Sequence, residues 1–156
     1  MRQCGPCALC CKLVPVAALG KKAGDWCEHC TRTSCRIWHE SYRPAACAEY
    51  TCLWLRRQDF PDDLRPDRSG VVFEYVDEQT AIGLVDPTTP SAWKMGLASD
   101  LIRSMLRNGI DCVIGIGSAK HVLLSSRGRT PQEVFNALGA ALNKERQWEP
   151  QPTRLT

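Results

Sequence analysis

Nine cysteines lie between Cys4 and Cys52, in the order Cys4-x2-Cys7-x2-Cys10-Cys11-x15-Cys27-x2-Cys30-x4-Cys35-x11-Cys47-x4-Cys52, and only Cys112 falls outside that stretch. Two residues between cysteines let both sulfurs turn onto one ion, and Gly5-Pro6 between the first pair suits such a turn. Thiolates are soft ligands that select zinc, copper(I) or iron–sulfur clusters, whereas magnesium and calcium require oxygen. A structural zinc ion takes four ligands in a closed tetrahedron. Nine donors exceed that need. Cys10 and Cys11 are adjacent, and neighbouring side chains point apart, so the pair is expected to serve different centres. Eight ligands would complete two tetrahedral or cubane sites. The run Cys4-x2-Cys7-x2-Cys10 also resembles ferredoxin ligand runs, without the fourth cysteine that precedes proline. Ligand number favours iron–sulfur over zinc, and zinc stays open as the alternative. The plainer readings are buried free thiols or a disulfide framework.

Other residues of chemical interest are fewer. His29 and His39 sit among the cysteines and could complete a site, although such a histidine more often hydrogen-bonds a sulfur. Trp26, Trp38, Trp54 and Trp93 are expected as packing around the cluster and the sheet. Arg36, Arg43, Arg56 and Arg57 either balance thiolate charge or are simply solvated. Gly115-x-Gly117 lacks the third glycine and the following helix of a dinucleotide fingerprint, so a hairpin turn is expected. Asp86 and Asp111 are too isolated to form a catalytic pair. His121 and Cys112 are expected to be structural, the latter as a small core residue. No Ser-His-Asp order is present, and an enzyme acting on its own is not expected.

The elements that must position the thiols differ along the chain. Residues 1–57 are interrupted by Gly5, Pro6, Pro15, Gly20, Gly24 and Pro44, so only short pieces are expected there. One or two helical turns are expected at 37–42. Pro44 is expected at the first position of a short helix carrying Cys47, with Cys52 as a further candidate on it. Residues 58–70 read as a polar linker. Val71–Val76 and Thr80–Val85 read as a hairpin of strands. Ser91 reads as the cap of a helix over 92–108, with Leu97, Leu101, Met105 and Leu106 at helical spacing. Ile110–Ile116 and His121–Leu124 read as two further strands, joined by Gly117-Ser118-Ala119-Lys120. Thr130-Pro131-Gln132-Glu133 forms a capping-box pattern for a last helix, with Val134, Leu138 and Leu142 on one face. The fold class expected is α+β: an irregular cysteine-rich metal-binding lobe at 1–57, packed on a small, mainly antiparallel sheet with two helices at 71–148. A loose tail follows at 149–156.

The chain of 156 residues is long enough to bury a core without staples. Apolar residues make up 44% and charged residues 24%, as in ordinary globular proteins. The net charge of +3 is too small to argue for nucleic acid, and the basic excess of the first 60 residues is better read as counter-charge to thiolates. No run approaches a membrane span. The opening Met1-Arg2-Gln3-Cys4 carries no apolar leader core, so a cytoplasmic, reducing setting is expected. Clustered cysteines there are more often ligands than bridges.

The run Cys4–Cys11, written C-x-x-C-x-x-C-C, together with Cys35-Arg36-Ile37-Trp38, Arg43-Pro44, Cys47 and Cys52, resembles the YkgJ-type cysteine-cluster family. That family is described as a zinc- or iron-chelating domain, and the resemblance covers residues 4 to about 55. Flagellin lysine N-methylases carry a similar cysteine domain, associated with an iron–sulfur cluster. The resemblance matches Cys4, Cys7, Cys10, Cys11, Cys27, Cys35, Cys47 and Cys52. Cys30 falls where the family often has an apolar residue, and Trp38 replaces a tyrosine. The expected ligand set is therefore these eight with Cys30 as the ninth. The expected cofactor is an iron–sulfur cluster, 4Fe-4S being favoured, with Zn2+ as the alternative. The expected role is redox, electron carriage or metal handling with a protein partner. A structural zinc module and an accessory part of a methyltransferase-like activity are the competing roles.

Overall fold

The computed structural model describes residues 2–118 and 120–145. In chain order the helices are α1 (Cys10–Leu13), α2 (Ala45–Ala48), α3 (Leu53–Arg56) and α4 (Pro66–Ser69), then α5 (Gly96–Arg107) and α6 (Pro131–Glu145). The strands are β1 (Val71–Asp77), β2 (Thr80–Val85), β3 (Asp111–Ile116) and β4 (Lys120–Leu124). Ala119, the Leu142 side chain, Trp148 and the tail at 149–156 lie outside what is described.

The protein is α+β. The sheet has the order β1-β2-β3-β4, with two hairpin pairings antiparallel and the central β2–β3 pairing parallel. The parallel pair arises because α5 lies between β2 and β3 and carries the chain back to the starting edge, as a crossover must. Successive residues of a strand face opposite sides. One face gathers Val71, Phe73, Ala81, Val85, Cys112 and Ile114 under Ala98, Ile102 and Met105 of α5. On the other face Val113 meets Val134 and Leu138 of α6. Further along that face, Val72 meets Leu9, Leu13, Trp54 and Leu64. Most of the cysteine-rich segment's core contacts and α6 therefore share one side of the sheet, while α5 covers the reverse together with Leu53 of α3.

Several local expectations need correction. The helix expected over 92–108 breaks: Ala92–Lys94 is a single 3-10 turn, Met95 is extended, and α5 starts at Gly96 with a φ of 53°. That left-handed backbone suits glycine and interrupts the helix. Ser91 makes no side-chain cap bond, and the inward face of α5 is Ala98, Ile102 and Met105, while Leu97 and Met95 are exposed. Pro44 precedes α2 rather than opening it, and Cys52 lies outside that helix, capping α3. Residues 37–42 form turns without a helix. Residues 58–70 contain a 3-10 turn at Asp62–Leu64 and α4, and they bury Leu64 and Pro66. The capping box at α6 forms as read, with the Glu133 carboxylate accepting from the Thr130 N–H and hydroxyl at 2.6 and 2.8 Å.

Two polar ties fix the frame. Asp111 is fully buried at the start of β3 and accepts from the Ser125 hydroxyl at 2.8 Å, from Arg127 at 3.2 Å and from Arg129. Asp86, at the end of β2, accepts from Lys12 of α1 at 2.7 Å and from the Thr88 amide and hydroxyl. These two carboxylates are structural and do not form a catalytic pair. His121 packs edge-on against Phe135 at 6.3 Å between ring centroids, and burial lowers its pKa, so it too is structural.

Candidate metal centre

Short backbone turns present the thiols. The N–H of Cys7 bonds the Cys4 carbonyl at 3.0 Å, and the N–H of Cys30 bonds the Cys27 carbonyl at 3.1 Å. Both two-residue spacings thus close the same kind of turn. The Cys27 N–H bonds the Cys11 carbonyl at 3.0 Å, which docks the second pair onto α1. Cys30 and Cys35 face each other across a bridge closed by Thr31 and Ser34, and Arg32 at its tip has a φ of 80°. Cys47 rides on α2, where Arg43 donates to its carbonyl at 2.8 Å. Cys52 precedes α3 and is buried.

All ten cysteines are free thiols, and the eight besides Cys52 and Cys112 are half-buried. This excludes a preformed disulfide framework in this structure. Four of them, Cys4, Cys7, Cys10 and Cys52, line one cavity of about 30 Å³ with Tyr50, Trp54, Leu55 and Pro66. Cys11, Cys27, Cys30, Cys35 and Cys47 are not part of its wall. They gather instead around Cys11: its thiol meets Cys10 and Cys30, and the charges of Cys11, Cys27 and Cys35 act on Cys47. Cys10 lies in the cavity wall and still meets the Cys11 thiol, so it touches both groups, and Cys4 senses both Cys11 and Arg43.

Electrostatics show what the thiols lack. Burial pushes Cys7 up to about 11, with the neighbouring charges of Asp67 and Cys52 adding to the rise. Contact with Cys10 raises Cys11, followed by burial. Burial and then the Cys11 and Cys27 charges raise Cys47. Ionising several of these sulfurs together without a cation is opposed by their mutual repulsion. Donors already oppose that rise at some of the sulfurs. The N–H groups of Leu9 and Asp67 face Cys7, those of Leu55 and Trp54 face Cys52, and the Arg32 N–H bonds the Cys30 sulfur at 3.3 Å. A soft cation would supply the remaining charge, and thiolate donors are the chemistry it takes. Among the described residues, no three His, Cys, Asp or Glu side chains are drawn together closely enough to hold an ion as they stand. The sulfurs would have to turn inward by side-chain rotation.

Lys21 is a contributor that the spacing of cysteines did not reveal. Its ammonium is buried and donates to the carbonyls of Lys12, Val14 and Lys22 at 2.8, 2.7 and 3.1 Å. Burial lowers its pKa, and the charges of Cys27 and Cys11 lead those that oppose the shift. A lysine held this way places positive charge beside Cys11 and Cys27. The only sequence signal was the Lys21-Lys22 pair directly after Gly20.

The arginines and tryptophans sort differently from expectation. Arg43 stacks on Trp38 at 3.9 Å and lowers the Cys4 and Cys47 pKa values, so it is a counter-charge. Arg57 instead pairs with Asp59 at 2.6 Å. Trp38 is 52% exposed and is not a packing residue, because its ring serves as the platform for Arg43. His29 lies 3.7 Å from Glu28. Cys112 is 2% exposed, with its sulfur 3.8 Å from that of Met105 and its pKa pushed by burial to about 12. Cys112→Ala is therefore expected to leave metal content per chain unchanged, while Cys10→Ala lowers it. Metal analysis of both purified variants checks this, and loss of metal from Cys112→Ala would contradict the assignment.

Among the described residues, no helix is long and apolar enough to cross a membrane. Comparison of the chain with family models, with curated proteins and with solved structures gives no match.

Proposed function

We propose that this is a metal-binding protein whose cysteine-rich segment holds an iron–sulfur centre and serves in redox, electron carriage or metal handling in the cytoplasm. The observation that carries this reading is the gathering of nine free thiols within one segment, five of them grouped around Cys11 and its neighbours. Burial and mutual repulsion raise several of these thiols, and a bound cation would relieve that penalty. The resemblance to the YkgJ-type family points the same way. An iron–sulfur centre would supply one-electron chemistry, with its potential set by burial, net charge and N–H donors to the sulfurs. The residues of this chain supply those settings: Arg32 N–H at Cys30, Lys21 beside Cys11 and Cys27, and Arg43 beside Cys4 and Cys47. Exposed Trp38 and Tyr42 lie on the same segment and offer contact area to a protein partner.

The test is anaerobic purification followed by visible absorption and by iron and acid-labile sulfide analysis. Brown protein with iron and sulfide in comparable amounts is expected. Colourless protein containing only zinc would sink the iron–sulfur reading and leave a structural zinc module.

A further inference from the structure

We infer that Cys30 and Cys35 are a reversible dithiol–disulfide pair that closes on reaction with a hydroperoxide when its sulfurs carry no metal. This goes beyond the metal-binding reading and does not rest on it, because the backbone alone sets the pairing.

The two residues face each other across an isolated antiparallel bridge. They exchange no hydrogen bond with one another, and the bonds of the bridge lie on either side of them. The Thr31 N–H donates to the Ser34 carbonyl at 2.9 Å, and the Arg36 N–H donates to the His29 carbonyl at 2.9 Å. Cys30 and Cys35 are thus a non-hydrogen-bonded pair, the kind whose Cα atoms stand about 4.5 Å apart with both side chains on one face. Disulfides span Cα separations of roughly 4.4–6.8 Å, so this pair can be bridged without moving the backbone.

The turn between them holds that geometry. The Thr31 and Ser34 hydroxyls are 2.6 Å apart, and the Ser34 N–H donates to the Thr31 hydroxyl at 3.1 Å. At the tip the Arg32 N–H points back to the Cys30 sulfur at 3.3 Å. Residues 31–34 are exposed and both thiols are half-buried, so a small oxidant reaches them. In the reduced chain the Cys30 sulfur rests against that of Cys11, and closing requires side chains to rotate.

The chemistry balances with one hydroperoxide per pair. One thiolate attacks the peroxide oxygen, giving a sulfenic acid and releasing hydroxide. The other thiolate attacks the sulfenic sulfur, so the S–S bond forms and a second hydroxide leaves. The two thiol protons convert both hydroxides to water. The sulfurs lose two electrons and the peroxide gains them. Excess small thiol reopens the bridge by exchange. Closing it withdraws Cys35, one of the eight thiols that the family resemblance matches, by means of Cys30, which that resemblance does not match.

The test oxidises reduced, metal-free full-length protein with one equivalent of hydrogen peroxide. Remaining thiols are alkylated, and the chain is digested with trypsin and mapped by mass spectrometry. Cleavage after Arg32 and Arg36 leaves Cys35 as the sole cysteine of a four-residue peptide, Thr33–Arg36, while Cys30 stays with Cys27 in the peptide 23–32. Most of the alkylated Thr33–Arg36 peptide is expected to disappear and to return, joined to 23–32, until dithiothreitol releases it. Cys30→Ser is expected to abolish that link, and Cys27→Ser and Cys11→Ser to keep it. Loop length alone would favour the shorter Cys27–Cys30 and Cys4–Cys7 rings, so the preference is expected to vanish when the oxidation is run in guanidinium. The inference is overturned if Thr33–Arg36 stays alkylated in wild type, or if Cys30 joins Cys11 or Cys27 instead. It is equally overturned if Cys30→Ser still links Cys35, or if guanidinium leaves the pattern of bridges unchanged.

Discussion

Asp86→Ala is expected to destabilise the fold by about 3 kcal/mol, toward the lower end of what breaking a buried pair costs. The carboxylate and the Lys12 ammonium are 2.7 Å apart, with side chains only 14% and 10% exposed. Removing Asp86 leaves that ammonium nearly dry, with the Trp26 ring at 5.6 Å beside it. The double variant Lys12→Met/Asp86→Leu is expected to recover most of the loss, because apolar replacement of a whole buried pair is often neutral. Denaturant unfolding of the three variants checks this, and equal loss in single and double variants would contradict it. The pair also sets a pH dependence. Burial would raise the Asp86 pKa, but the Lys12 ammonium and the Thr88 amide and hydroxyl hold it below its ordinary value. A depressed carboxylate stabilises fully above its unfolded pKa of about 3.9. That contribution is lost as pH falls through the lower folded value. Wild type is therefore expected to lose stability below about pH 4, and the double variant to lose less over the same range.

Leu13→Ala is expected to cost about 2–5 kcal/mol, the usual range for emptying a buried leucine site. Leu13 is fully buried against residues of both the cysteine-rich segment and β1, among them Trp54, Leu64 and Val72. The loss should therefore be felt on both sides of residues 58–70. Denaturation followed by far-ultraviolet dichroism and by tryptophan emission is expected to show one coincident transition, shifted to lower denaturant in the variant. Two separated transitions in wild type would show that the shared core does not couple the segments.

The strands were legible because Val71–Val76, Thr80–Val85 and the stretch around Val113 combine β-branched residues with alternation, and packing on both faces rewards that pattern. The cap of α6 was legible because Thr130 and Glu133 satisfy each other locally. The parallel pairing of β2 and β3 was not, because hairpin spacing gives no information about a strand that returns through α5. The break at Met95–Gly96 was hidden by apolar residues on either side that continue helical spacing. At the candidate metal centre the turns were readable, since two-residue spacings close by one local hydrogen bond. The grouping of the thiols was not, because Cys52 joins Cys4, Cys7 and Cys10 at one cavity through the packing of α3, far along the chain. Lys21 escaped notice because three carbonyls, invisible in a sequence, hold it in place.

Trp54 gives the thiol-lined cavity an optical character. Its ring forms part of the thiol-lined wall, its exposure is 7%, and Arg2 and Arg65 lie over it at 4.4 and 5.9 Å. An indole so enclosed emits at short wavelength, and its excited state is readily drained by an open-shell or heavy ion at an adjacent sulfur. A zinc ion, with a filled shell, would leave that emission bright, whereas cobalt or iron would darken it. Trp93 packs against the core on the opposite side of the sheet, away from that wall. The wall of the cavity is thus also a lamp, and the difference in emission between wild type and Trp54→Phe would report an ion bound there in unlabelled protein.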